Sequence, residues 1–187
     1  MKLFFLLLLL QSVSAFAQDD VELPAISANN KDFFIPLAVY KKYNMEAGQA
    51  DDVMKVYNNF ADSAAIQRVS DIRWQAKDKA EAQKWYKDNI DLLSEKSENI
   101  SSQLSQPPGV DSWNVYAQSK EMKEMMKSLG VDQNHYYFTF TVDQYVAKIF
   151  VATSAKKTLQ DAWQLAKEGL IATLKAAGKP KLAGLVL

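Results

Sequence analysis

The chain has 187 residues, 48% apolar and 24% charged, with Lys plus Arg balancing Asp plus Glu at 22 each. That length suits one domain of ordinary size, and the composition is globular rather than disordered. The charge balance leaves no long-range basic field for phosphates, which argues against nucleic-acid binding, and the absence of cysteine excludes disulfides, thiol catalysis and thiolate metal sites.

The N-terminus reads as an address. Met1-Lys2 is followed by an unbroken apolar run over residues 3–10 and then by Ser14-Ala15-Phe16-Ala17. Small residues at 15 and 17 are what a signal peptidase accepts, so residues 1–17 are expected to be a signal peptide cut after Ala17. The run is too short to span about 30 Å of hydrocarbon, so no membrane span is expected in the mature chain. The expected location is periplasmic or secreted, with residues 18–187 forming the single mature domain.

Residues 18–35 lack a clear period, and Pro24 and Asn29-Asn30 suit a loose arm, with Phe33, Phe34 and Ile35 available to pin it. A short helix is expected from Pro36 to about Tyr43. Asp51 and Asp52 then precede Val53, Val56, Tyr57 and Phe60, spaced at three and four, which predicts a second helix. Residues 64–76 alternate as a strand, with Ile72 and Trp74 on one side and Arg73 on the other. Asp78 with Glu81 matches a capping pattern, and Ala82, Trp85, Tyr86, Ile90 and Leu93 give a helix over about 78–93.

Residues 97–104 suit an edge strand or loop, and Pro107-Pro108-Gly109 is the strongest break. Residues 110–117 read as a strand. Ser119 can cap a helix through Leu129, with Met122, Met125, Met126 and Leu129 on one face and Gly130 as its stop. Helical spacing makes that stripe core, with an adaptable binding surface or a thioether copper set as the alternatives.

The clearest local structure is the hairpin at residues 135–151. A turn at Asp143-Gln144 sets Tyr136, Phe138, Phe140 and Val142 opposite Val151, Ile149, Ala147 and Tyr145. All eight are apolar and share a face, which fixes the register. Leu159, Ala162, Trp163, Ala166, Leu170, Leu174 and Ala177 then form a helix stripe ending at Gly178, with Pro180 beyond. The fold class is α+β: a single domain with an antiparallel or mixed sheet, a C-terminal β-hairpin, and helices mainly on one face. A strand followed by a Trp-bearing helix recurs at Val69 to Trp85 and Val146 to Trp163, a weak echo of duplication.

The chemistry is sparse. His135 is the lone histidine, and with Asp132 it supplies two metal ligands where three or four are usual, so no metal or cofactor is expected. Ser112 lacks the glycine that a nucleophile elbow requires. Asp71, Asp78, Glu81, Asp111, Glu121 and Glu124 could supply a carboxylate pair for a hydrolase, but most suit helix starts or exposed faces. Asn99-Ile100-Ser101 is a glycosylation sequon in a eukaryotic setting. The surplus is aromatic: Trp113, Tyr116, Tyr137 and Phe150 do not fit one core face. They are the candidate ligand-binding residues if that face is open, but a covering second layer, such as the arm with Phe33 and Phe34, is the favoured expectation, because most large aromatics near a sheet are core. The first expectation is therefore an exported, non-catalytic binding or accessory protein for a small ligand or protein partner. A two-carboxylate hydrolase and a self-associating structural subunit are the alternatives.

Overall fold

The computed structural model describes residues 33–51, 53–61, 64–94 and 97–186, the side chains of 89–94 excepted. The proposed signal peptide and most of the proposed arm lie outside the described residues. Among these residues seven strands form one antiparallel sheet: β1 (Glu46–Ala50), β2 (Met54–Asn58), β3 (Ile66–Gln75), β4 (Ser97–Asn99), β5 (Ser112–Gln118), β6 (Gln133–Val142) and β7 (Tyr145–Ser154). Their spatial order is β1-β2-β3-β7-β6-β5-β4. Among the described residues five helices accompany them: α1 (Leu37–Lys42), α2 (Lys79–Ser94), α3 (Lys120–Ser128), α4 (Leu159–Ala176) and α5 (Pro180–Ala183). The expected single α+β domain with its C-terminal hairpin is what the chain forms.

The hairpin pairs in the register its apolar pattern demands, Val142 with Tyr145 through Tyr136 with Val151. Asp143 takes the positive φ of 51° that the turn needs. Its amide donates to Asp111 Oδ2 at 2.7 Å, so a neighbouring loop holds a conformation that asparagine or glycine would adopt more readily.

One face of the sheet, here the first, carries Phe138, Phe140, Val142, Ala147, Ile149, Val151, Val69 and Val115. It is covered by α4 through Ala162, Leu165, Ala166, Leu170 and Leu174, with α1 and α5 at the margins. A capping box starts α4: the Asp161 amide donates to Thr158 Oγ1, and Asp161 Oδ2 accepts from the Thr158 amide at 2.8 Å. Gly178, at φ 71°, ends it as predicted. Pro180 does more than stop the chain; it opens α5, where a proline at the first turn costs nothing.

The other, second face takes α2. Asp78 Oδ1 accepts from the Glu81 amide at 2.9 Å to start it, and Ala82 and Tyr86 pack with Trp74, Ala76 and Val146. This helix carries the chain from β3 across the sheet to β4 at the far edge. The strand-helix echo therefore places β3 beside β7, with α2 and α4 on opposite faces.

Three expectations are corrected. The predicted helix after Asp51 is strand β2, and Phe60 is 80% exposed. Asp51 Oδ1 accepts from the amides of Val53 and Met54, at 2.9 and 2.7 Å, so the acid closes a turn between two strands instead of capping a helix. Its apolar residues were too few to separate the two periods, and β2 buries both Val56 and Tyr57, on opposite faces. The Met stripe of α3 is not core: no residue of that helix is buried, and Met125 is 45% exposed. Phe33 and Phe34 do not cover the second face; they pack on Tyr145 on the first.

Beneath α4 the first face holds a buried ion pair. Asp71 and Arg73, both 0% exposed, pair side by side along β3 through Arg73 Nε. Asp71 Oδ2 also accepts from the Ile35 amide at 2.8 Å and the Tyr40 hydroxyl at 3.3 Å. Arg73 Nη1 donates to Thr173 Oγ1 at 2.8 Å and Gly169 O at 3.3 Å on α4. The guanidinium lies between the rings of Phe33 and Phe140, at 5.4 and 5.7 Å. Tyr40 stacks on Tyr57 at 3.6 Å. Burial, reinforced by the Asp71 charge, pushes the Tyr40 hydroxyl far above its ordinary pKa, so it stays a donor.

Removing one partner of such a pair strands a buried charge. Arg73→Met is expected to cost about 3–5 kcal/mol in urea unfolding. Asp71→Leu with Arg73→Met should recover only part of this, because the Ile35 amide and Tyr40 hydroxyl still lose their acceptor. A loss below about 1 kcal/mol for Arg73→Met would show that the pair does not hold the fold. Gly169→Ala should cost about 1–3 kcal/mol by overpacking, since a Cβ there would meet Arg73 Nη2 and lie 2.6 Å from Ile149 Cδ1.

Candidate functional site

The sheet register lays out the second face in rows. Tyr116 pairs with Tyr137, Tyr137 with Phe150, Phe150 with Ser70, and Ser70 with Val56. Three of the four sequence candidates therefore form one row across β5, β6 and β7. Trp113 is not among them. It lies on the first face, edge-on to Trp163 at 5.4 Å and 6.3 Å from Phe140.

The row is built around Phe150. His135 packs edge-on to its ring at 5.2 Å, and Tyr137 lies against it at 5.1 Å. Phe150 keeps only 6% of its exposure and Tyr116 only 3%, so these two are floor, while His135 and Tyr137 remain partly accessible. Among the described side chains, the apolar cluster that α2 builds on this face takes in Trp74, Ala76, Val146 and Ile72; the side chains of α2 at 89–94 lie outside the described residues. Its polar edge is fixed: the Tyr86 hydroxyl donates to Thr139 O at 3.2 Å and accepts from Asn114 Nδ2 at 2.8 Å.

Two cations flank the row. Lys148, two residues from Phe150 on β7, pairs across strands with Ile72 and Thr139. Arg68 pairs with Ala152, which in turn pairs with His135. Both are half-buried, and desolvation lowers the pKa of each. Among the described residues neither has an ion-pair partner, and Arg68 Nε is buried without a hydrogen bond. Sequence reading passed over both. For Lys148 the available signal was one charge beside Phe150 on a strand whose other face, Tyr145, Ala147, Ile149 and Val151, is wholly apolar; Arg68 had no such signal, since the other face of β3 carries Asp71 and Arg73.

His135 is not poised as a base. Burial, with the Arg68 charge adding to it, pushes its pKa down to about 4, and its Nε2 lies 3.3 Å from Gln133 Oε1. Burial also pushes the Tyr137 hydroxyl up to about 12. Asp132 is exposed. Among the described residues no three of His, Cys, Asp and Glu group to hold a metal.

The candidate carboxylates are each engaged. Asp71 is in the buried pair, Asp78 caps α2, and Glu81 accepts from the Lys77 amide. Burial would raise the Asp111 pKa, but hydrogen bonds from Lys79 and the Asp143 amide outweigh it and hold the carboxyl below its usual range. Glu121 is likewise held low at the start of α3, and Glu124 faces Lys120 at 4.0 Å. Ser112 opens β5, half-buried. Asn99 is exposed, its side chain tied to Ser101 and Asn114. No described helix is long and apolar enough to cross a membrane.

No family model, curated protein or solved structure matches the chain.

The depressed His135 pKa has a consequence for stability. The folded state binds its proton near pH 4, the unfolded state near 6.5. Between those values the unfolded chain takes up the proton first, so this contribution is full above pH 6.5 and is lost as pH falls to 4. The contribution at stake is on the order of 3 kcal/mol. Urea titrations at pH 7 and 4.5 should show it, and His135→Gln should reduce the slope between them; an unchanged slope would remove His135 as the cause.

Proposed function

We propose that the protein is an exported, non-catalytic binding or accessory protein whose ligand lies on the second sheet face, over Tyr137 and Phe150. One observation carries this reading. A row of aromatic rings crosses β5, β6 and β7 on the second face, with His135 and Tyr137 packed on Phe150 and still partly accessible. Aromatic rings with polar handles are what binding faces use, since they give large contact area at low entropic cost. Support for export comes from the charged start, the apolar run and the Ala15-Phe16-Ala17 sequence.

A thermal-shift screen against glycans, lipids and metals should give a positive shift for one class. At a ligand concentration 100 times Kd the stabilisation is about 2.7 kcal/mol. Tyr137→Ala should abolish the shift while the unliganded protein still unfolds cooperatively. A flat response to all three classes, or a shift that survives Tyr137→Ala, counts against this face. Export is tested separately by cell fractionation with and without residues 1–17; equal distribution would remove that part of the reading.

A further inference from the structure

We infer that Met125 on α3 is the primary oxidation site of this chain. It takes one oxygen from a peroxide to form a sulfoxide that the fold tolerates and that sulfoxide reductases reverse. The inference is independent of the second sheet face.

The chain has no cysteine, so the thioether sulfurs of methionine are its sites for reversible sulfur oxidation. Its six methionines differ in access. Met1 lies outside the described residues. Met45 is in the main core with 7% of its exposure left, and Met54 is half-buried on β2, where it pairs with Ile72. Met122 and Met126 are half-buried on α3. Met125 is 45% exposed and Leu129, one turn on, is 46% exposed, so the two form an apolar strip open to solvent. The peroxide must reach the sulfur lone pair, and access therefore sets the order of reaction. In that step an S–O bond forms as the peroxide O–O bond breaks. The sulfur is oxidised by two electrons, and hydrogen peroxide is reduced to water.

The position of Met125 also decides what the sulfoxide does. A polar oxygen on a buried thioether costs stability, because it must be desolvated. On α3 no residue is buried, and the bonds that hold the helix leave the Met125 side chain unused. The Met122 amide donates to Ser119 Oγ at 3.2 Å at its start, and Lys123 Nζ donates to Asn134 Oδ1 at 2.6 Å, tying it to β6. At its end the Gly130 amide donates to Lys127 O and the Val131 amide to Met126 O, both at 3.0 Å. Met125 contributes only its backbone carbonyl, which accepts from Ser128 Oγ at 2.7 Å and from the Leu129 amide at 3.3 Å. Oxidation there turns the Met125–Leu129 strip polar and leaves every one of these bonds in place.

The test exposes the full mature chain to limiting hydrogen peroxide at neutral pH and maps the products by fragment-ion mass spectrometry over time. Met125 sulfoxide should appear first, at least about tenfold faster than Met45 sulfoxide, with Met122 and Met126 between them. The singly oxidised protein should keep its Tm. A mixture of the two methionine sulfoxide reductases, one for each epimer, should restore the original mass. Met125→Leu should remove the fast product without changing Tm, and no other methionine should take over its rate. Met45 or Met54 reacting as fast as Met125 would overturn the inference, as would Met122 or Met126 reacting first. A fall in Tm on single oxidation would overturn the claim that the fold tolerates it. A product that the reductases leave unchanged would overturn its reversibility.

Discussion

The Asp71–Arg73 pair is the constraint on which the rest of the architecture depends. It gathers three segments distant in sequence: the Ile35 amide and Tyr40 hydroxyl before β1, β3 itself, and Gly169 and Thr173 on α4. A pair with no exposure gives up hydration on both ions, and attraction offsets this only where hydrogen bonds satisfy the remaining groups. Here Asp71 has three donors and Arg73 Nη1 has two acceptors, while Arg73 Nη2 is buried without one. The requirement explains local choices that look arbitrary alone. Position 169 is glycine because the guanidinium fills the space a Cβ would need. Thr173 turns its hydroxyl inward, donating to Gly169 O at 2.7 Å while accepting from Arg73. Phe33 and Phe140 flank the guanidinium and exclude water.

Much of the fold was legible because periodicity and burial agree over most of the chain. The hairpin register followed from eight apolar positions on one face, and any one-residue slip would have turned all of them outward. What escaped did so for identifiable reasons. β1 is exposed at all five positions, so it carries no alternation to detect. β2 is buried on both faces at Val56 and Tyr57, and its short apolar set matched helical spacing equally well. In β3, alternation did separate Arg73 from Ile72 and Trp74. It could not say which side was the larger core, because both faces are covered and a charged residue ordinarily marks solvent.

The candidate site was half legible. Tyr137 and Phe150 followed from the hairpin alone. The grouping of Trp113 with Tyr116 had a flaw visible in their numbers: residues three apart on a regular strand point to opposite faces, and Trp113 joins Trp163 and Phe140 under α4. The pairing of Tyr116 with Tyr137 needed the β5–β6 register, which no local pattern encodes because α3 intervenes between the strands. The Met face of α3 misled for a related reason. Amphipathic spacing says that a helix has an apolar side, not that the fold supplies a core for it to meet.

The two faces of β3 carry charge differently. On the first face the ions are fully buried, paired, and tied to segments that must come together for the chain to fold. Even there the match is incomplete, since Arg73 Nη2 is buried without a hydrogen bond. On the second face Arg68, with Lys148 on the neighbouring strand, is half-buried and has no ion-pair partner among the described residues. The Asp71–Arg73 network ties β3 to α4 and to the segment before β1, while the ladder between β3 and β7 sets the register of the residues on their reverse side. The network on one face thereby anchors the strand whose other face carries Ser70 and Ile72 beside Phe150 and Lys148, which is what a binding face needs if its contacts are to be preorganised before a ligand arrives.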